Sequence, residues 1–138
     1  MGKLSTIAFV FLFIFCSCTQ TENYKKPDDP LEAGRDFIRF ALDGNMAKAK
    51  TFILDDAANM NIFERKEKQY NDASAAEKAA YKDASIIINK SETLNDSTAI
   101  INYANSYKKQ NSEIKLVKEN GEWWVDIKYT FLGDAHEK

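Results

Sequence analysis

Cysteine, histidine, proline and glycine are all scarce in this 138-residue chain. It has two cysteines (Cys16 and Cys18), one histidine (His136), two prolines and five glycines. With both cysteines confined to the first 18 residues, no disulfide framework can hold the remainder, and clustered Cys/His zinc sites are excluded from it. A lone histidine in a polar C-terminal stretch offers no centre for a Ser-His-Asp triad or for imidazole acid–base chemistry. The scattered glycines form no phosphate-cradling loop. Asp55-Asp56 reads as a helix cap rather than a carboxylate dyad, because Asp is strongly preferred at that position. An excess of charge is missing too. Nineteen basic and 21 acidic side chains alternate along the chain for a net charge of −2. No basic stripe of the kind a phosphate backbone demands is present, so nucleic acid is not expected as a partner. No motif implies a cofactor, and the length suits one domain.

Long apolar runs are absent except at the N-terminus, where Lys3 is followed by the unbroken stretch Ile7 to Phe15 and then by Ser17-Cys18. That stretch is too short to cross a hydrocarbon core about 30 Å thick, which takes about 20 apolar residues, and it has the layout of a signal peptide. Phe15-Cys16-Ser17-Cys18 resembles a bacterial lipobox, with small Ser17 before the modified cysteine and Phe15 departing from the usual Leu. The resemblance implies that residues 1–17 are removed and that Cys18 is lipidated, which anchors the chain to a membrane. Thr19, which is not acidic, implies delivery to the outer membrane of a cell envelope. Met1 to Thr6 also fits an N-myristoylation pattern, but the phenylalanine-rich run beyond it serves secretion and has no use in a cytosolic acyl-protein. Removal of residues 1–17 takes away Lys3 and no acid, leaving 18 basic and 21 acidic side chains. Residues 18–29 are polar and carry Lys25-Lys26 and Pro27. They are expected to form a lipidated tether with a reach of roughly 35 Å, in which Tyr24 is the single sticky residue.

A domain over 30–132 and a polar tail over 133–138 complete the expected organisation. Asp29, Pro30 and Glu32 have the pattern of a helix start, and Gly44 that of a stop. Between them Phe37, Ile38, Ala41 and Leu42 fall on one face. A short helix after Asn45 places Met46, Ala49, Phe52 and Ile53 inward. A third begins after Asp55-Asp56 with Met60, Phe63 and Tyr70, and Ser74 with Glu77 forms another capping box, so the helical region ends near Ala84 either as one long bent helix or as two pieces. The period then switches to two over 85–94, 98–107, 112–119 and 122–129, which predicts four antiparallel strands. Asn120-Gly121 suits a two-residue type I′ turn. Counting outward from that turn pairs Leu116 with Val125 and Ile114 with Ile127 on the core face. Val117 then faces Trp124, Lys115 faces Asp126, and Glu113 faces Lys128 on the other.

Helices followed by an antiparallel meander give an α+β fold, with N-terminal helices packed on a curved four-stranded sheet. The helix carrying Phe37 to Leu42, the Gly44-Asn45 turn and the run from Lys118 to Asp126 resemble small envelope lipoproteins of the NTF2-like, cystatin-like superfamily. That resemblance implies a cone with a cavity between sheet and helices and no particular reaction. A non-catalytic binding domain is expected. Phe37, Tyr103, Tyr107 and Trp123 are the candidates to enclose a small molecule, although the same residues would also serve as plain core. Trp124 with Val117, on the opposite face of the hairpin, is the candidate contact for an envelope protein partner, unless the C-terminal tail covers it. Two alternatives stand beside this reading. One is an isomerase- or dehydratase-like enzyme using Tyr103, Tyr107 and Tyr129; the other is a ligand-free interaction or inhibitor protein. Asp96-Ser97-Thr98 resembles a short O-glycosylation acceptor in a turn.

Overall fold

The structure, a computed structural model, describes residues 23–132. The expected lipobox at Cys18, the start of the expected tether, His136 and the tail 133–138 lie outside the described residues.

Four helices open the domain: α1 (Pro30–Leu42), α2 (Met46–Lys50), α3 (Ala57–Asp72) and α4 (Ala75–Asp83). Each begins at a short polar side chain that accepts the amide of the residue three further on, which satisfies a backbone donor the helix itself cannot. The pairs are Asp29 with Glu32, Asn45 with Lys48, Asp56 with Asn59, and Ser74 with Glu77, at 2.9–3.2 Å. Glu32 also pairs with Arg35 at 3.7 Å. Helix α1 buries Ala33, Phe37, Ile38 and Leu42 and gives way at Gly44, whose φ of +74° suits glycine. Ala73, in extended conformation, separates α3 from α4.

A single sheet follows, with β1 (Ile86–Asn95), β2 (Thr98–Asn105), β3 (Ser112–Glu119) and β4 (Glu122–Asp126) in sequential antiparallel order. Asn120 and Gly121 have φ of +51° and +81°, and the register they set pairs Leu116 with Val125, Val117 with Trp124 and Lys115 with Asp126 as expected. Ala99, Ile101, Ile114, Leu116, Trp123 and Val125 are buried on the inner face against α1 and the Phe52-Ile53 segment. A Cβ on buried Gly34 would collide with Ile101 Cδ1 and lie 3.3 Å from Ile114 Cδ1, so glycine lets α1 approach the sheet closely. The free edge of β4 is covered, because Val125 donates to the Phe52 carbonyl at 2.7 Å and Leu54 donates to the Val125 carbonyl at 3.0 Å.

Three boundaries differ from the sequence pattern. Strand β4 stops at Asp126, and Ile127–Leu132 forms a short helix, α5, so the expected Ile114–Ile127 and Glu113–Lys128 pairs are not made. The cause is Asn59 on α3. Its side-chain oxygen accepts the Lys128 amide at 3.0 Å and its amide nitrogen donates to Asp126 at 3.2 Å, drawing the chain out of the sheet. The Glu113 carbonyl, which a continued ladder would have paired with Lys128, is taken by the Thr130 hydroxyl at 2.6 Å. Strand β2 ends at Asn105 rather than Tyr107, because the Asn105 side chain accepts the amides of Tyr107 and Lys108 and curls the chain away. Residues 23–29 lie along the domain instead of leading away from it. Tyr24 donates a short hydrogen bond to Asp36 and sets its ring against Phe40 and Phe52, 5.4 and 6.0 Å between centroids. No helix among the described residues is long and apolar enough to cross a membrane.

Candidate functional site

The second half of α3 reads Glu64-Arg65-Lys66-Glu67-Lys68-Gln69-Tyr70-Asn71-Asp72, and Tyr70 is its one large apolar residue. The first half is different, with Asn59, Ile62 and Phe63 buried. Helix α3 is therefore held to the body at its start and has little with which to close against α1 towards its end. The result is a cleft of about 740 Å³ between α1 on one side and the α3–α4 hairpin on the other. Phe37, Ala41 and Leu42 line it from α1, Tyr70 and Tyr81 from the hairpin, and Tyr103 from β2.

Two contacts fix the spacing of its walls. Tyr70 lies across Gly44, where a Cβ would fall 2.8 Å from the tyrosine ring, so a side chain at that position would have to displace the Tyr70 ring. Arg39 of α1 donates to the Ala84 carbonyl at 2.8 Å and the Lys82 carbonyl at 3.1 Å while also pairing with Asp43, which ties the C-terminal end of α4 to α1. Tyr70, Tyr81 and Tyr107 then make successive ring contacts, tilted between the first two and edge-to-face between the last two.

The charges at the mouth are mostly spent on one another. Lys68 pairs with Asp72 at 2.6 Å, and Glu77 with Lys108 at 3.3 Å. Lys66 reaches Gln69 at 3.4 Å and sits 4.3 Å over the Phe131 ring. Arg65 has no partner among the described residues. Inside, burial pushes the Tyr103 phenol above its ordinary pKa against the opposing effect of its hydrogen bond with Ser112, so it is a neutral group at physiological pH.

Of the four residues expected to enclose a ligand, Phe37 and Tyr103 line this cleft. Trp123 does not. It is 4% exposed in the core, and its indole nitrogen donates to the Asp28 carbonyl at 2.9 Å. Strand alternation put it on the inner face correctly, but its place along β4 takes it to the start of α1, away from the cleft. Tyr107 is 40% exposed and stacks on Tyr81, because β2 has already ended. The three tyrosines of the enzyme alternative are likewise dispersed, since the Tyr129 hydroxyl donates to Glu113 at 3.2 Å. Asp126 pairs in register with Lys115, while its carboxylate accepts from Asn59.

Trp124 and Val117 do share the outer face, half-buried. The Trp124 ring is covered by Lys26, whose ammonium nitrogen lies 3.2 Å from the ring centroid and 3.6 Å from a Glu122 carboxylate oxygen. Among the described residues, the preceding strap is what sits on it. Ser97 is exposed in the β1–β2 turn. Sequence periodicity missed Arg39, Tyr70 and Tyr81. Tyr70 was read only as an inward residue of α3, and nothing local signals that Arg39 reaches across 45 residues of sequence to Ala84.

No family model matches the chain, and no curated protein or solved structure matches it.

Proposed function

We propose that this is an envelope lipoprotein, anchored through Cys18 at an outer membrane, whose NTF2-like domain is a non-catalytic module that holds a small apolar molecule. The observation that carries the binding reading is the cleft of about 740 Å³, lined by Phe37, Leu42, Tyr70, Tyr81 and Tyr103. A cleft of that size takes a drug-sized ligand, and the polar side chains along its α3–α4 rim would orient one. The lipid anchor is supported by the Phe15-Cys16-Ser17-Cys18 sequence alone. The Trp124 face is the weaker place for a ligand or a protein partner, because Lys26 already occupies it.

Native mass spectrometry of the protein released from its own envelope tests both parts. Lipidated protein beginning at Cys18 is expected, carrying an added mass of a few hundred daltons. Ala41→Trp, which fills the cleft from α1 without opening a cavity, should abolish that added mass. An unmodified Cys18 with residues 1–17 retained would refute the anchor, and a bound mass indifferent to Ala41→Trp would refute the cleft.

A further inference from the structure

The arrangement of charge at the cleft mouth gives the chemical class of the ligand, an inference that rests on the binding reading above. The α1 wall and the three tyrosines are apolar and aromatic, while the α3–α4 rim carries the charged and polar side chains. The two acids at the mouth, Asp72 and Glu77, are each matched by a lysine, Lys68 and Lys108. Two cations, Arg65 and Lys66, carry no acidic partner among the described residues. Lys66 is partly engaged with Gln69 and Phe131, whereas Arg65 is unengaged. An apolar slot with an unmatched guanidinium at its rim is complementary to an amphiphile carrying one anionic headgroup. Guanidinium also recognises a planar carboxylate through two parallel hydrogen bonds.

We infer that the cleft binds a single-chain amphiphilic carboxylate of the fatty-acid class, with its hydrocarbon against Phe37, Leu42 and Tyr103 and its carboxylate on Arg65. A slot lined only by apolar groups would take the corresponding alcohol equally well, and a cation would be repelled. The neutral Tyr103 phenol, already hydrogen-bonded with Ser112, does not oppose a hydrocarbon as a phenolate would.

The test uses the full chain in detergent with two photoreactive diazirine probes of equal length, a dodecanoic acid and a dodecanol, and maps the labelled peptides. The acid is expected to label α1, α3 and α4 peptides that line the cleft, with competition by dodecanoate and not by dodecanol. Arg65→Gln should lower that labelling about tenfold, and Arg65→Lys should retain most of it. Arg65 is exposed, so neither substitution threatens the fold. Equal cleft labelling by both probes, unmoved by Arg65→Gln, would overturn the headgroup assignment and leave apolar binding in place. Absence of cleft labelling by either probe would overturn the binding reading together with it.

Discussion

Replacing Asn59 with alanine should be the most damaging single change of a polar residue in this domain. The Asn59 side chain is fully buried and uses both of its donors and its acceptor. It donates to Asp56 at 2.7 Å and Asp126 at 3.2 Å and accepts from the Lys128 amide at 3.0 Å. Alanine would leave the Lys128 amide without an acceptor, which costs about 1–3 kcal/mol for a buried donor. It would also remove two hydrogen bonds to carboxylates, each worth up to about 1.5–3 kcal/mol before water replaces them. Asp56 keeps Lys128 Nζ at 2.8 Å and its capping role, so the carboxylates are not stranded, and the net loss should be about 3–5 kcal/mol.

That is a large part of the roughly 5–15 kcal/mol that holds an ordinary domain together. Urea denaturation followed by tryptophan fluorescence should show the midpoint falling with little change in slope, and hydrogen exchange should accelerate at the Lys128 amide first. Asn59→Asp is the sharper companion. It places a third carboxyl between Asp56 and Asp126, so it should be worse than alanine at neutral pH and recover as acid protonates the introduced group. A loss below about 1 kcal/mol for Asn59→Ala, with unchanged exchange at Lys128, would refute the claim that this side chain draws the chain out of the sheet. The consequence reaches the cleft. Asn59 fixes the start of α3, and the same helix carries Arg65 and Tyr70, so weakened anchoring should also weaken binding.

Other consequences of the packing can be measured on the same preparations. Trp123→Ala should cost about 3–5 kcal/mol in chemical denaturation and Trp124→Ala about 1 kcal/mol, and equal losses would mean that the two faces of β4 are wrongly assigned. Burial opposes ionisation of Asp56, but hydrogen bonds from Lys128 and from the backbone and side chain of Asn59 outweigh it and hold the carboxyl below the usual range. The unfolded chain then binds the proton more readily, so this group's stabilisation is present at neutral pH and is lost as pH falls through the folded-state value; Asp56→Asn should flatten that part of an acid-unfolding curve. Trypsin should cut slowly after Lys25 in the native protein and faster in Trp124→Ala, which removes the surface on which Lys26 rests, and equal rates would show that the strap is not held there.

Much of the architecture was legible because it rests on local chemistry. Asp29, Asn45, Asp56 and Ser74 cap helices for reasons contained within four residues, and Asn120-Gly121 sets a register that carries through to Lys115 and Asp126. What could not be read were departures caused by distant partners. The 122–129 pattern alternates well enough for a strand, yet Asn59, 69 residues away from Lys128, ends the strand at Asp126. Position along a strand was the other hidden variable. Alternation correctly put Trp123 on the inner face, but the cleft between α1 and α3 opens beside Tyr103, where α3 has run out of apolar residues.

The strap and the cleft bear on each other through α1. Lys26 is largely withdrawn from water, and that desolvation lowers its pKa even though the Glu122 carboxylate favours the charged form. A chain seldom buries an amine where a polar tether would do, and here the lysine stem and Tyr24 together cover Phe40, Phe52 and Trp124. Tyr24 is bonded to Asp36, one residue before Phe37 of the cleft wall. Residues 23–29 are held along the domain, so under the proposed anchor at Cys18 they add nothing to the reach of the expected 18–29 tether. The first helix is gripped by the strap on one side and faces the cleft on the other. Under that proposed anchor, a single-chain carboxylate leaving the membrane would have only a short distance to travel to the cleft, as suits a carrier that takes its ligand from the surface beside it.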